Sequence, residues 1–240
     1  MQPDQRDRLL MLLAITSGSA DGWSYVGLGH AFVANMTGNT VLLGVTIFTP
    51  HHAFAPPLLA LFGYILGVAL GAVLTPDVAP GALWDRAVSI VLLLEAALLS
   101  LAAAGWMAAG GTPHGVSRYC LLGVLAVAIG LQSGAMLALK LPGIVTTYIT
   151  GTWTTLVSGL GMLMRPGARR LPRDQTAFEE RLALQAVFLI VYFLAAIGTG
   201  LLLRHLRLAI GALCATPTLL VALYGLRAER ATSPSRRTTP

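Results

Sequence analysis

A chain of 240 residues that is 55% hydrophobic and only 11% charged is not composed like a soluble domain, in which about a quarter of residues carry charge. Its net charge of +6 would suit a nucleic-acid partner only if the basic residues formed a stripe or patch. They flank apolar stretches instead, where they anchor loops and set orientation, so nucleic-acid binding is excluded from the expected roles.

Eight apolar segments follow one another along the chain. Segments of roughly 20 such residues cross about 30 Å of hydrocarbon as helices, and lipid offers exposed backbone no partner. The alternating pattern of a membrane barrel is absent. The fold class is therefore all-α transmembrane. The first segment, 9–28, follows Arg6 and Arg8. It resembles a secretory leader up to Ser17-Gly18-Ser19-Ala20, but the apolar run continues, and a retained helix is the better reading. Asp21 lies deep within it beside Ser17, Ser19 and Ser24. An acid at that depth is costly; it either binds a cation or proton in a polar interior or caps a break in the helix.

The second segment, 30–48, contains Met36-Thr37-Gly38-Asn39-Thr40. Glycine lets the chain bend and Thr or Asn can cap a new helix start. His51-His52 follows, but no further ligand lies at metal spacing, so no metal is expected. The third, 54–74, places Gly63, Gly67 and Gly71 on one face, the spacing that lets two helices pack closely, within the chain or in a dimer. The fourth, 87–109, carries Glu95 with no basic partner a turn away, in a proton-relay or interhelical role.

The fifth segment, 119–139, includes Gly130-Leu131-Gln132-Ser133, and the sixth, 143–164, includes Thr146-Thr147 and Ile149-Thr150-Gly151-Thr152-Trp153. Lys140 lies between them, placed to snorkel or to pair with Asp21. The seventh and eighth are 182–203 and 208–226. Cys120 and Cys214 lie in or beside apolar segments and frame neither a disulfide scaffold nor a metal site.

The order of features repeats. Thr37-Gly38-Asn39 is answered by Thr150-Gly151-Thr152, the polar stretch around Asp21 by that around Gln132, and Gly63-Tyr64-Ile65-Leu66-Gly67 by Val191-Tyr192-Phe193-Leu194-Ala195. This predicts two membrane repeats, residues 1–113 and 114–226, followed by a disordered cytoplasmic tail, 227–240. Segments one and two are joined by almost nothing, as are five and six. Either all eight cross, or each joined pair makes one crossing plus a re-entrant stretch, giving six to eight membrane helices in two related halves. Arginines 165, 169, 170, 173 and 181, those of the tail, and Arg6 and Arg8 place both termini on the cytoplasmic side of a bacterial inner membrane.

Phe32-Val33-Ala34-Asn35 leading into the first Thr-Gly turn, with Asp21 upstream, and Gly130 to Ser133 followed by Thr146 to Thr152, resemble the YoaK-type family of bacterial membrane proteins. The likeness runs from about residue 9 to 226 and implies a multi-pass fold without specifying an activity. The residues themselves suggest a small-solute transporter or channel with its site at the repeat interface. Asp21, Thr37, Gly38, Asn39, Gln132, Ser133, Thr150, Gly151 and Thr152 would bind solute or ion there, and Glu95 would relay protons. The alternative is a scaffold whose glycine face binds another helix, or a second copy of the chain. Motifs of enzymes and of cofactor binding are absent, so neither catalysis nor a cofactor is expected.

Overall fold

The computed structural model describes residues 3–49, 53–76, 84–139, 149–164 and 175–232. These form eight α-helices and one 3-10 turn: α1 (Pro3–Gly27), α2 (Met36–Thr46), α3 (Ala55–Leu74), α4 (Arg86–Ala108), α5 (Gly115–Ala138), α6 (Ile149–Leu163), α7 (Gln175–His205), the turn Arg207–Ala209, and α8 (Ile210–Thr232). Among them α3, α4, α5, α7 and α8 are long and apolar enough to cross a membrane. α1 has 25 residues, the first few charged. α2 has 11 and α6 has 15. At 1.5 Å per residue α2 spans only about 16 Å, short of the hydrocarbon thickness, and the described turns of α6 about 22 Å.

Local chemistry sets the boundaries. Beyond α1 the chain reverses at Gly29 and His30, both with positive φ. The expected second helix therefore does not begin at residue 30. Residues 28–35 are non-helical, and the side chains of Asp21 and Asn39 capture the backbone of Phe32, Val33 and Ala34. Asn35 caps α2, its side chain accepting from the Gly38 N–H. Asp85 does the same for α4, accepting from Ala87 N at 2.7 Å, and two prolines occupy the first turn of α3, where a missing N–H costs nothing. α8 continues to Thr232, beyond residue 226 where a disordered tail was expected, because Arg-Ala-Glu-Arg is a good helix former. His51, His52, Lys140, Thr146, Thr147 and the arginines at 165–173, 236 and 237 fall outside the described residues.

Small residues decide the packing. α3 lies along α5 so closely that a Cβ on Gly71 would sit 2.6 Å from the Leu131 carbonyl oxygen, and one on Gly67 would strike the Val127 carbonyl and Gly130. The Gly63, Gly67, Gly71 face is thus covered by α5 of the same chain. α7 lies along α1 in the same way, Gly18 against Tyr192 and Gly22 against Thr199. Both pairs run parallel. α4 and α8 are antiparallel, with Ala103 against Gly211 and Ser89 against Gly225. α4 also packs on α5, α8 on α1, α2 on α3 and α6 on α7.

Two apolar cores close the ends of the bundle. One joins Leu9, Leu10 and Leu13 to Trp84, Val88, Leu139 and Val221, so the start of α1 and the end of α8 share an end. The other joins Trp23 and Leu28 to Trp106, Leu121 and Ile210. The α3–α5 contact is backbone on backbone and cannot relax by moving a side chain. Gly67→Ala should therefore destabilise the protein by about 1–3 kcal/mol, the cost of overpacking. Thermal melting in detergent checks this, with Gly44→Ala, where an added Cβ meets nothing within 4 Å, as the neutral control.

Candidate functional site

Asp21 is buried in α1, 5% exposed. One carboxylate oxygen accepts from Val33 N at 2.8 Å and Ala34 N at 2.6 Å. The other accepts from the Tyr192 hydroxyl of α7 at 2.6 Å. The acid thereby pulls the strand of chain ahead of α2 back along α1 and pins it within the bundle. Charged hydrogen bonds of this length are among the stronger ones in proteins.

Asn39, fully buried, completes the fastening. Its carbonyl oxygen accepts from Phe32 N at 2.9 Å and its amide donates to Phe32 O at 2.6 Å. Asn35 accepts from both Thr37 Oγ1, at 2.7 Å, and Gly38 N, at 3.1 Å. Tyr25 stacks on Phe32, ring centroids 4.8 Å apart. A non-helical backbone inside a membrane bundle persists only when its polar groups are satisfied like this.

The start of α2 therefore lies level with the middle of α3 and α7, where Tyr64 and Tyr192 stand. The start of α6 arrives at the same place. Ala34, Asn35, Met36 and Thr37 on one side, Ile149, Thr150 and Gly151 on the other, and the two tyrosines line one cavity of about 490 Å³. From there α6 runs antiparallel to α7: Gln185 Nε2 donates to Thr155 Oγ1 at 3.0 Å, and Gly159 packs on Leu182. Its far end lies with Phe178, near the start of α7. α2 leads back toward the start of α3, which packs at Gly29 through Pro56. The two half-length helices thus enter from opposite ends of the bundle and meet start to start.

The residues marked in the sequence divide into two groups. Thr37, Thr150 and Gly151 line the cavity. Asp21, Gly38, Asn39, Gln132, Ser133 and Thr152 are not among its lining residues. Gln132 donates to Ser17 Oγ of α1 at 3.0 Å and Ser133 to its own helix at Ile129 O, 2.9 Å. Thr152 is buried in α6, 2% exposed. Sequence reasoning did not single out Tyr64 and Tyr192. A signal was present, since the two stand at equal places in the matched stretches that begin at Gly63 and Val191. Glu95 lies elsewhere, on α4 facing α8. Among the described residues no cluster of three His, Cys, Asp or Glu could hold a metal.

Long apolar helices, intramembrane polar groups bonded to one another, and a break ahead of α2 shielded inside the bundle define an integral, multi-pass α-helical membrane protein. The chain belongs to the family described as protein of unknown function DUF1275, which matches residues 9–225. It is 34% identical over 204 residues, 82% of this chain and 83% of the relative, to the UPF0700 transmembrane protein YoaK of Bacillus subtilis (strain 168). No solved structure matches.

Proposed function

We propose that this protein passes a small solute through the membrane, as a channel or transporter, by way of the cavity between the starts of α2 and α6. The observation that carries the reading is the convergence of both half-length helices, from opposite ends, on one cavity beside Tyr64 and Tyr192. Broken helices meeting near the middle of a bundle are the recurrent design of membrane solute sites. At α2 the Asn35 side chain takes the Gly38 N–H, and each helix start still turns the positive end of its dipole toward the cavity. No charged side chain stands among the described lining residues, so the lining suits a small neutral polar solute or a single negative charge better than a cation. Asp21 serves this site by position, holding the Ala34 backbone and Tyr192 in its wall.

In this reading the long helices make six crossings, and the chain is two related halves, α1–α4 and α5–α8, with three crossings each. The packing supports it. The α3–α5 contact is answered by α7–α1, α4–α5 by α8–α1, and α2–α3 by α6–α7. Three crossings per half make the halves inverted. The start of α1 and the end of α8 lie at one end of the bundle, with Arg6, Arg8, Arg86, Arg181 and Arg227, and we assign that end to the cytoplasmic side of the inner membrane. The scaffold alternative loses its docking surface, because the glycine face is occupied by α5.

The test uses reconstituted protein with Cys120 and Cys214 replaced and a single cysteine at Thr37→Cys or Thr150→Cys. A polar thiol reagent should label both, and the same small solute, taken from a panel of neutral amides, polyols, monovalent anions and monovalent cations, should protect both and raise the melting temperature. Protection of one position without the other, or no labelling of either, would overturn the shared-site reading.

A further inference from the structure

Glu95 is the second acid inside the bundle, and the cavity does not account for it. It is fully buried in the middle of α4, and neither carboxylate oxygen has a hydrogen-bond partner among the described residues. The described residues contain no ion pair that involves it. The titratable group facing it from α8 is Cys214. α5 carries its titratable residues, Arg118, Tyr119 and Cys120, around its first turn, near the far end of α4 where Leu121 meets Gly105. α3 offers Tyr64, which stands at the cavity, and the 3-10 turn offers Arg207, which lies at Trp106 and Gly111. Among the described residues no positive charge is therefore positioned to neutralise a Glu95 carboxylate. An unpaired buried charge is far costlier than a neutral acid that finds a hydrogen bond.

A chain of hydroxyls stands beside it. Thr218 of α8 faces the carboxyl, and its Oγ1 lies 2.9 Å from Thr16 Oγ1 of α1. Thr16 Oγ1 in turn lies 3.2 Å from the Cys214 carbonyl oxygen and can donate to it. All three side chains are fully buried. A hydroxyl both donates and accepts, whereas a carbonyl only accepts. With Glu95 protonated, donation can run one way, from the carboxyl O–H to Thr218, from Thr218 to Thr16, and from Thr16 to the Cys214 carbonyl. With Glu95 ionised, Thr218 turns to donate to the carboxylate, and Thr16 still has the carbonyl.

We infer that Glu95 is a proton-binding site, whose occupancy is registered by the orientation of the Thr218 hydroxyl, which donates to Thr16 of α1 when the carboxyl is protonated and turns to the carboxylate when it is not. Binding forms one O–H bond on the carboxyl with a proton from water, and release returns it; nothing is oxidised or reduced. The chain ends at a carbonyl that cannot take a proton, so it stores an orientation and conducts nothing. A proton fits better than a metal cation, which needs about six oxygen ligands and the space to hold them. Glu95 would bind its proton whatever the cavity carries.

Infrared difference spectroscopy of the reconstituted protein, in water and in deuterium oxide, tests it. As pH is scanned through the range in which buried carboxyls titrate, up to about pH 9, a protonated-carboxyl C=O band should appear and vanish. Glu95→Gln should remove that band, and Asp21→Asn should leave it. Thr218→Val, which keeps the shape and removes the hydroxyl, should shift both the band and its midpoint pH. A band unaffected by Glu95→Gln, a Glu95 band constant at every pH, or a band that responds to sodium at fixed pH would each overturn the inference. No effect of Thr218→Val would overturn the role of the hydroxyl chain.

Discussion

Replacing Asp21 with alanine should cost on the order of 3–9 kcal/mol of stability, because it leaves the Val33 and Ala34 amides and the Tyr192 hydroxyl without their acceptor, at about 1–3 kcal/mol for each stranded buried donor. The loss falls on the segment that cannot replace those bonds. Residues 33 and 34 are not helical, and both are buried in the bundle. Two comparisons separate this holding role from a role in carrying charge. Asp21→Asn keeps one acceptor oxygen for the two amides and brings an N–H from which the Tyr192 oxygen can accept, so it should retain most of the stability and lose chiefly the acceptor of the Tyr192 O–H. Tyr192→Phe should cost about as much as Asp21→Asn, and the double variant little more than either, because the two share one interaction. Melting temperature and yield of folded protein in detergent report all four. An Asp21→Ala protein as stable as the wild type would show that the acid does not hold the re-entrant segment.

Thr150→Trp should have the largest effect on passage while sparing the fold. Thr150 is exposed to the cavity at the start of α6, and an indole placed there would occupy much of the space between the two helix starts. Binding should fall by about tenfold or more, equivalent to at least about 1.4 kcal/mol. Solute protection of Thr37→Cys across the cavity should disappear with it. Thr154→Trp, one turn further along α6, exposed and outside the lining residues, should change neither. Unchanged protection at Thr37→Cys in the Thr150→Trp protein would mean that the two helix starts do not share a solute.

The membrane-spanning design was legible from composition, because long apolar runs free of charge have few other uses. The sequence also marked Thr37 and Thr150 as counterparts, and they line one cavity. Other features could not be read. Residues 30–35 are as apolar as the helices around them, and in lipid that alphabet does not distinguish a helix from a shielded loop. What makes them a loop is Asp21 and Asn39, and the hydrogen bonds that do so are not encoded by any periodicity. Gln132 was read as solute lining, yet its partner, Ser17, lies 115 residues away. The glycines at 63, 67 and 71 announced a close approach without saying to which helix. Asp21 was read as a candidate coupling acid, and geometry gives both of its oxygens to the chain itself.

The spacing of Asp21 from its partners bears on how the molecule is made. Val33 and Ala34 follow it by 12 and 13 residues, so their amides emerge from the ribosome almost together with the acid. Tyr192 follows by 171, after most of the bundle has been synthesised. A nascent α1 can thus hide its carboxylate from lipid early, by folding the next few residues onto it, and wait for the tyrosine to arrive. The separations thus allow an internal order of assembly, in which the local clasp can form first and the docking of α7 onto α1 can close the bundle.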